Sequence, residues 1–200
     1  MKYPQVASTI IRLQAADLAL RDELIARGEL EGGYHPEMEA LHHRNASELD
    51  EIINAIGYPT VERVGAAASD AAWLVIQHAI GRPDFMRKCA RLLAEAVDHG
   101  QAQARNLAYL TDRIAVFEGR PQQYGTSFDW DEHGQLSPQP YDDLGKVNQR
   151  RQSLGMNTLE AQTQLIRQRN REEGGGPPPD LAARRAAYEA WRREVGWMGS

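Results

Sequence analysis

The sequence predicts an all-α protein, a helical bundle with one buried central helix. Three observations support this fold class. Apolar residues recur at three-, four- and seven-residue steps through residues 6–118, which is the period of an amphipathic helix. Glycine and proline divide this stretch into five segments. The composition, with 42 % hydrophobic and 26 % charged residues, is that of an ordinary globular chain.

The first two helices are bounded by glycine and proline. Apolar residues between Val6 and Ile25 form one stripe, and Gly28 ends it. Pro36 stands at the first position of the second helix, where its missing N–H costs nothing. The second stripe ends before Gly57.

The third segment, residues 66–80, is apolar on nearly every side, which is typical of a helix buried at the centre of a domain. The turn at residues 81–83 separates it from a fourth helix at about residues 83–99. A fifth helix at residues 106–118 closes before Gly119. We therefore expect the remaining helices to pack around the third.

Residues 121–142 predict a long aromatic-rich loop, because prolines and glycines interrupt every periodic pattern there. A short hairpin is expected around Gly134. Two shorter helices should follow, at about residues 143–153 and 157–171.

Residues 172–179, two glutamates followed by three glycines and three prolines, predict a linker. This linker would join a helical domain, residues 1–171, to a C-terminal helix, residues 180–200. One stripe of this helix is apolar, and the arginines lie largely off it: Leu181, Tyr188, Trp191 and Val195 against Arg184, Arg185, Arg192 and Arg193. A single helix of this length is marginal in water. We therefore expect residues 180–197 to dock on their own domain, on a second copy of the chain or on a partner protein.

Charge and cysteine content exclude several classes of function. The net charge of −5 argues against a protein that binds nucleic acid or an anionic membrane through a basic surface. The only cysteine, Cys89, excludes an internal disulfide and a cysteine-rich zinc site. The first thirteen residues hold no apolar stretch long enough for a secretion signal. These features favour a cytoplasmic protein.

Two polar residues, Gln77 and His78, interrupt the apolar third helix. A buried amide or imidazole must find a hydrogen-bond partner, so a structural role between two helices is one interpretation. The other is functional, with His78 as a general base or a metal ligand, because imidazole titrates near neutral pH.

A second group of polar residues lies on the second helix. Glu39 and His42 have the three-residue spacing found in di-iron carboxylate bundles, but such sites need two copies and the sequence has one. A mononuclear metal site from His42, His78 and a carboxylate such as Asp112 is the other metal hypothesis.

On the fifth helix, Asp112 and Arg113 border the apolar face. A solvated helix face is the ordinary interpretation of such a pair. An arginine at the edge of an apolar face also suits recognition of a carboxylate or phosphate group.

Four segments together resemble a bacterial family of unknown function, DUF6624: residues 57–59, 72–79, 109–114 and 119–126. The resemblance covers about residues 18–160. The hallmark polar positions of that family correspond here to Gln77, His78, Asp112, Arg113, Tyr124, Gly125 and Thr126. Ser127 stands where the family usually has glutamine, and Asn45 matches a position where the family tends to carry asparagine. The resemblance implies that these residues share a pocket, and it implies no reaction.

The leading hypothesis is a small-molecule enzyme, a hydrolase or a lyase. His78 would act as general base, Asp112 would orient it or bind a metal ion, and Arg113 would hold an anionic substrate group. The ligand-binding residues would be those of the hallmark set together with Asn45. The alternative is a non-catalytic binding or interaction module, in which the polar residues are structural and the C-terminal helix docks a partner.

Overall fold

The structure, a computed structural model, describes residues 1–30 and 33–198, so the last two residues of the predicted C-terminal segment lie outside the described part. In the described residues nine α-helices and one two-stranded sheet follow one another: α1 (Pro4–Arg27), α2 (Pro36–Ile56), α3 (Val61–Val64), α4 (Ala66–His78), α5 (Pro83–Asp98), α6 (Ala104–Phe117), β1 (Phe128–Trp130), β2 (Leu136–Pro138), α7 (Leu144–Ser153), α8 (Leu159–Glu172) and α9 (Leu181–Glu194). The predicted all-α class is confirmed. None of these helices combines the length and the apolarity that crossing a lipid bilayer requires.

The chain divides into two compact units, Met1–Leu107 and Ala108–Ser200, and the boundary falls inside α6. In the first unit α4 is the central helix. It packs most extensively on α1 and also contacts α2, α3 and α5. The prediction of a buried central helix is therefore confirmed.

The end of α4 differs slightly from the prediction and matters for the site. The helix ends at His78, and the backbone N–H groups of Ile80 and Arg82 turn back onto the carbonyls of His78 and Ala79. Pro83 then starts α5. His78 is thus the last residue of α4, and the buried Ala79 follows it in the turn.

The second unit contains the predicted hairpin. Strands β1 and β2 are antiparallel, with Phe128 opposite Pro138, and β2 packs against α8. Asp131 organises the turn, because its carboxylate accepts hydrogen bonds from the backbone of His133 and Gln135 and from the Ser137 hydroxyl. A single aspartate with three local donors explains why so short a hairpin has a defined turn.

The C-terminal helix α9 packs on the end of α6 within the second unit. Phe117 is the centre of this contact, with Tyr188, Trp191 and Trp197 at ring-centroid distances of 6.3, 5.7 and 4.9 Å. Trp197 is 2 % exposed. The apolar stripe of the helix therefore lies on its own chain.

The sequence predicted that Arg192 lies largely off the buried stripe, but the structure buries it. It is 6 % exposed, and its Nη1 donates to the carbonyl oxygens of Val116 and Phe117 at 2.9 and 3.1 Å. These carbonyls belong to the last turn of α6. Carbonyls in a last turn accept no hydrogen bond from within the helix, and they carry partial negative charge. Arg192 is buried because it caps that helix end.

Replacing Gly125 by alanine should destabilise the second unit by about 2–4 kcal/mol. Gly125 has φ +62°, and an added Cβ would lie 2.7 Å from a Cδ atom of the buried Leu159. The left-handed backbone conformation of Gly125 and the overlap with Leu159 both disfavour a side chain at this position. Urea unfolding measures the change, and Gly176→Ala is the control, because Gly176 has open space around it. Equal stability of the two variants would contradict the expectation.

Candidate functional site

Three titratable side chains from three helices of the first unit converge on one point. Asp17 of α1 places its Oδ2 2.9 Å from His78 Nδ1 and 3.0 Å from His42 Nε2. One carboxylate oxygen thus faces both imidazoles. We call these three residues the Asp17 cluster.

The position of each member follows from the helix that carries it. Asp17 lies on the buried face of α1, together with Ile10, Leu13 and Leu24, and is 0 % exposed. His42 lies on the buried face of α2. The neighbouring Asn45 of α2 donates its Nδ2–H to the carbonyl of Leu13 at 3.1 Å. Asn45, predicted to bind ligand, therefore ties α2 to α1 one turn away from Asp17.

Tyr34 completes the surroundings of His42. Its hydroxyl lies 2.8 Å from His42 Nδ1, and the two rings stack with centroids 5.6 Å apart. The rings of His42 and His78 are 5.2 Å apart. His42 Nδ1 therefore faces the Tyr34 hydroxyl, and its Nε2 faces Asp17.

Burial and charge act in opposite directions on Asp17. Burial raises the pKa of its carboxyl, but the adjacent His42 and His78 imidazoles outweigh this and hold the pKa well below its ordinary value. Burial raises the pKa of Tyr34 above its ordinary value, so the phenol keeps its proton. Near neutral pH the cluster therefore contains a carboxylate beside a protonated phenol.

The Asp17 cluster is open on one side. The His78 side chain is 31 % exposed, against 8 % for His42 and 0 % for Asp17. Since His78 Nδ1 faces Asp17, a proton on Nδ1 leaves Nε2 as a hydrogen-bond acceptor. A carboxylate that fixes an imidazole in this tautomer is the arrangement used to orient a general base.

Asp112 lies in the second unit and has different partners. Its two oxygens accept hydrogen bonds from the backbone N–H groups of Gln123, Tyr124 and Thr126 and from the Thr126 hydroxyl, at 2.8–3.2 Å. Burial raises the pKa of this carboxyl, and the hydrogen bonds from the loop oppose that effect. Asp112 is therefore the anchor of the loop that follows α6.

Two further buried side chains hold the same loop. The Gln122 amide is 0 % exposed and bonds the backbone N–H and carbonyl of Ser127 and the carbonyl of Gln139. Arg151, 1 % exposed, donates to the carbonyl of Tyr124 and to Asn157. At Ser127 these contacts use only the backbone.

The remaining predicted residues are distributed over both units. Gln77 is buried in α4 beside His78, in the first unit. Arg113 follows Asp112 in the second unit, where loss of hydration lowers its pKa. His78 and Asp112 thus lie in different units, and the carboxylate that contacts His78 and His42 is Asp17.

Sequence reasoning missed Asp17 and Tyr34. A signal for Asp17 was present, because an aspartate occupies a position of the stripe that otherwise reads Ile10, Leu13 and Leu24. An acidic residue on an apolar face needs buried partners. Tyr34 gave no such signal, since it lies between α1 and α2 where no pattern places it.

A second group of one histidine and two carboxylates lies in the first unit, at Glu29, His35 and Glu37. It differs from the Asp17 cluster in exposure and pairing. Both glutamates form ion pairs with Arg27, at 2.8 and 2.7 Å, and both are largely exposed. This group is an ordinary surface ion-pair network.

Comparison with known proteins gives one result. The model of a family of unknown function, DUF6624, matches residues 4–187. The match is wider than the span of about 18–160 that the motifs indicated, and it includes Asp17, α8 and the first half of α9. Neither a curated protein nor a solved structure shows a significant match. The predicted resemblance is confirmed, and the chain belongs to the DUF6624 family.

Proposed function

We propose that the first unit is a small-molecule hydrolase whose reaction centre is the Asp17 cluster. The observation that carries this proposal is the 2.9 Å contact between His78 Nδ1 and a fully buried carboxylate, while the imidazole itself remains about one-third exposed. The Nδ1 side of this imidazole is bound to Asp17, and the exposed part of the ring can contact a substrate and a water molecule. Sequence reasoning gave His78 the same role with a different acid.

The reaction needs a water molecule to be activated beside His78. Removal of a proton from that water makes the imidazole cationic, and the Asp17 carboxylate 2.9 Å away stabilises the cation. Since Asp17 is buried, solvent screens this interaction little. His42 Nε2 lies 3.0 Å from the same carboxylate oxygen, and the Tyr34 hydroxyl lies 2.8 Å from His42 Nδ1.

A second candidate function is ligand binding by the second unit. A cavity of about 390 Å³ lies between the hairpin and α9, and Trp130, Tyr188 and Arg185 are among its lining residues. Charges of both signs line it, so it fits a neutral or zwitterionic molecule better than an ion. The partner-docking version of this alternative is disfavoured, because the aromatic residues of α9 already pack on Phe117.

We place the reaction in the cytoplasm, since the only cysteine of the chain, Cys89, is a buried free thiol.

Replacing His78 by glutamine should lower the hydrolysis rate by about 10²–10⁴-fold, which is the usual contribution of a general base. The assay is a panel of chromogenic esters, amides and phosphoesters, with the full-length chain as enzyme. His99→Gln is the matched control, because His99 is an exposed histidine that follows α5 directly, and its side chain bonds the carbonyl of Glu95.

The two candidates give different outcomes. A folded His78→Gln variant with the parental rate, or a parent protein inactive on every compound, would reject the hydrolase. Ligand binding that is unaffected by His78→Gln but lost in Trp130→Ala would favour the second unit instead.

A further inference from the structure

We propose that Asp17, His42 and His78 bind one divalent transition-metal ion, and that this ion is zinc. The inference rests on the same residues as the proposed hydrolase and deepens it, because in the metal-bound state the ion, and not the His78 imidazole, would activate the water. Nitrogen and carboxylate-oxygen ligands from two histidines and one acid are a ligand set that zinc prefers.

The distances fit such an ion. The three ligand atoms lie within 4.8 Å of one another, and two of the separations are 2.9 and 3.0 Å. Two ligands that are each about 2.0–2.1 Å from zinc in tetrahedral geometry lie about 3.3 Å apart. Movements of a few tenths of an ångström in side chains would bring these two separations to that value.

The hydrogen bonding of the cluster is incomplete without an additional partner. Among the described residues, Asp17 Oδ1 has no hydrogen-bond partner although the residue is fully buried. His42 Nε2 is 3.0 Å from Oδ2 but is not aligned for a hydrogen bond. Buried carboxylates in proteins are normally satisfied or coordinate a metal ion. Close approach without alignment is what a shared ion produces.

The second layer of the site also fits a metal. A histidine that binds zinc through Nε2 carries its proton on Nδ1 and donates it to a neighbouring acceptor. The Tyr34 hydroxyl lies 2.8 Å from His42 Nδ1 and can accept that proton.

Three protein ligands are the number found in catalytic zinc sites, where water or substrate takes the fourth position. In this cluster the exposed member is His78, so that position would face the side where the imidazole reaches solvent. Zinc lowers the pKa of a bound water to near neutral, which would supply a hydroxide for hydrolysis.

The test is a calorimetric titration of zinc into the full-length chain, purified without a histidine tag and freed of metal with a chelator. We expect one ion per chain, and cobalt should give the absorption bands of a tetrahedral nitrogen and oxygen site. Asp17→Asn and His42→Gln should abolish this binding. Tyr34→Phe should weaken it by about 10–100-fold, the usual effect of losing an outer hydrogen bond.

His35→Gln is the matched control, because His35 belongs to the surface group at Glu29 and Glu37. It should bind zinc with the parental affinity. If Asp17→Asn does not fold, His78→Gln replaces it, since that side chain is partly exposed. Absence of zinc binding by the parent, parental affinity in the ligand variants, or loss of binding in His35→Gln would overturn the proposal.

These results separate the two proposals. If the protein binds zinc but hydrolyses none of the compounds, the proposed metal site stands and the proposed hydrolase is wrong. Full activity in chelator-treated protein that binds no zinc would retain the hydrolase and reject the metal.

Discussion

Replacing Asp112 by alanine should lower the free energy of unfolding of the second unit by about 3–4 kcal/mol. The carboxylate accepts hydrogen bonds from three backbone N–H groups and one hydroxyl of residues 123–126. Bonds to a charged acceptor are worth about 1.5–3 kcal/mol each, and some of the freed donors will bind water after the loop relaxes. The loss should therefore be smaller than the sum of the bonds.

The measurement is urea denaturation followed by circular dichroism. Glu132→Ala is the control, because Glu132 is an acidic residue of the same unit with an 82 % exposed side chain. Its stability should match the parent within about 0.5 kcal/mol. A similar small effect of Asp112→Ala would show that the loop does not depend on this carboxylate.

Replacing Arg192 by alanine should lower the free energy of unfolding of the second unit by about 2–3 kcal/mol and weaken the packing of α9 on α6. The guanidinium bonds the last carbonyls of α6, pairs with Glu189 and lies 5.0 Å from the Tyr188 ring centre. Its loss removes one donor from each of two buried carbonyls, those of Val116 and Phe117. Trp197 is 2 % exposed, so tryptophan fluorescence should shift to longer wavelength as the helix end becomes solvated.

The neighbouring Arg193 provides the control. It has the same chemistry, but its side chain is 65 % exposed and pairs with Glu189 at 3.4 Å. Arg193→Ala should keep the parental fluorescence and stability. If both variants behave alike, the position of Arg192 contributes nothing beyond its charge.

The helices could be predicted from the sequence because they depend on local periodicity and on glycine and proline at their ends. Gly28 and Pro36 bound α1 and α2 as expected, and the hairpin appears around Gly134. The end of α4 was placed two residues too late. Its apolar pattern continues through Ala79 and Ile80, whereas the backbone already turns there.

The site could be predicted only in part, because its contacts join residues that are distant in sequence. His78 was identified as a polar interruption of an apolar helix, and His42 was named as a metal ligand. Nothing in the spacing shows that Asp17, 61 residues before His78, would be the acid between them. Asp112 was identified as well, but most of its hydrogen-bond donors are backbone N–H groups, and residue types do not reveal these.

Arg192 shows a third limit. Helical periodicity assigns a long basic side chain to the solvent face, and this assignment holds for Arg193. It fails for Arg192 because the surface beneath it is the carbonyl end of another helix. The periodicity of a helix depends only on its own sequence. The polarity of the surface on which the helix packs is set by a different part of the chain.

The packing of α1 on α4 also has a consequence during synthesis. The main partner of α1 is made only after about fifty further residues, since α1 ends at Arg27 and α4 at His78. At about 5–20 residues per second the first helix therefore waits roughly 3–10 seconds on the ribosome. During that time α1 can pack on α2 but not on α4. Asp17 can contact both of its histidines only after His78 has been synthesised.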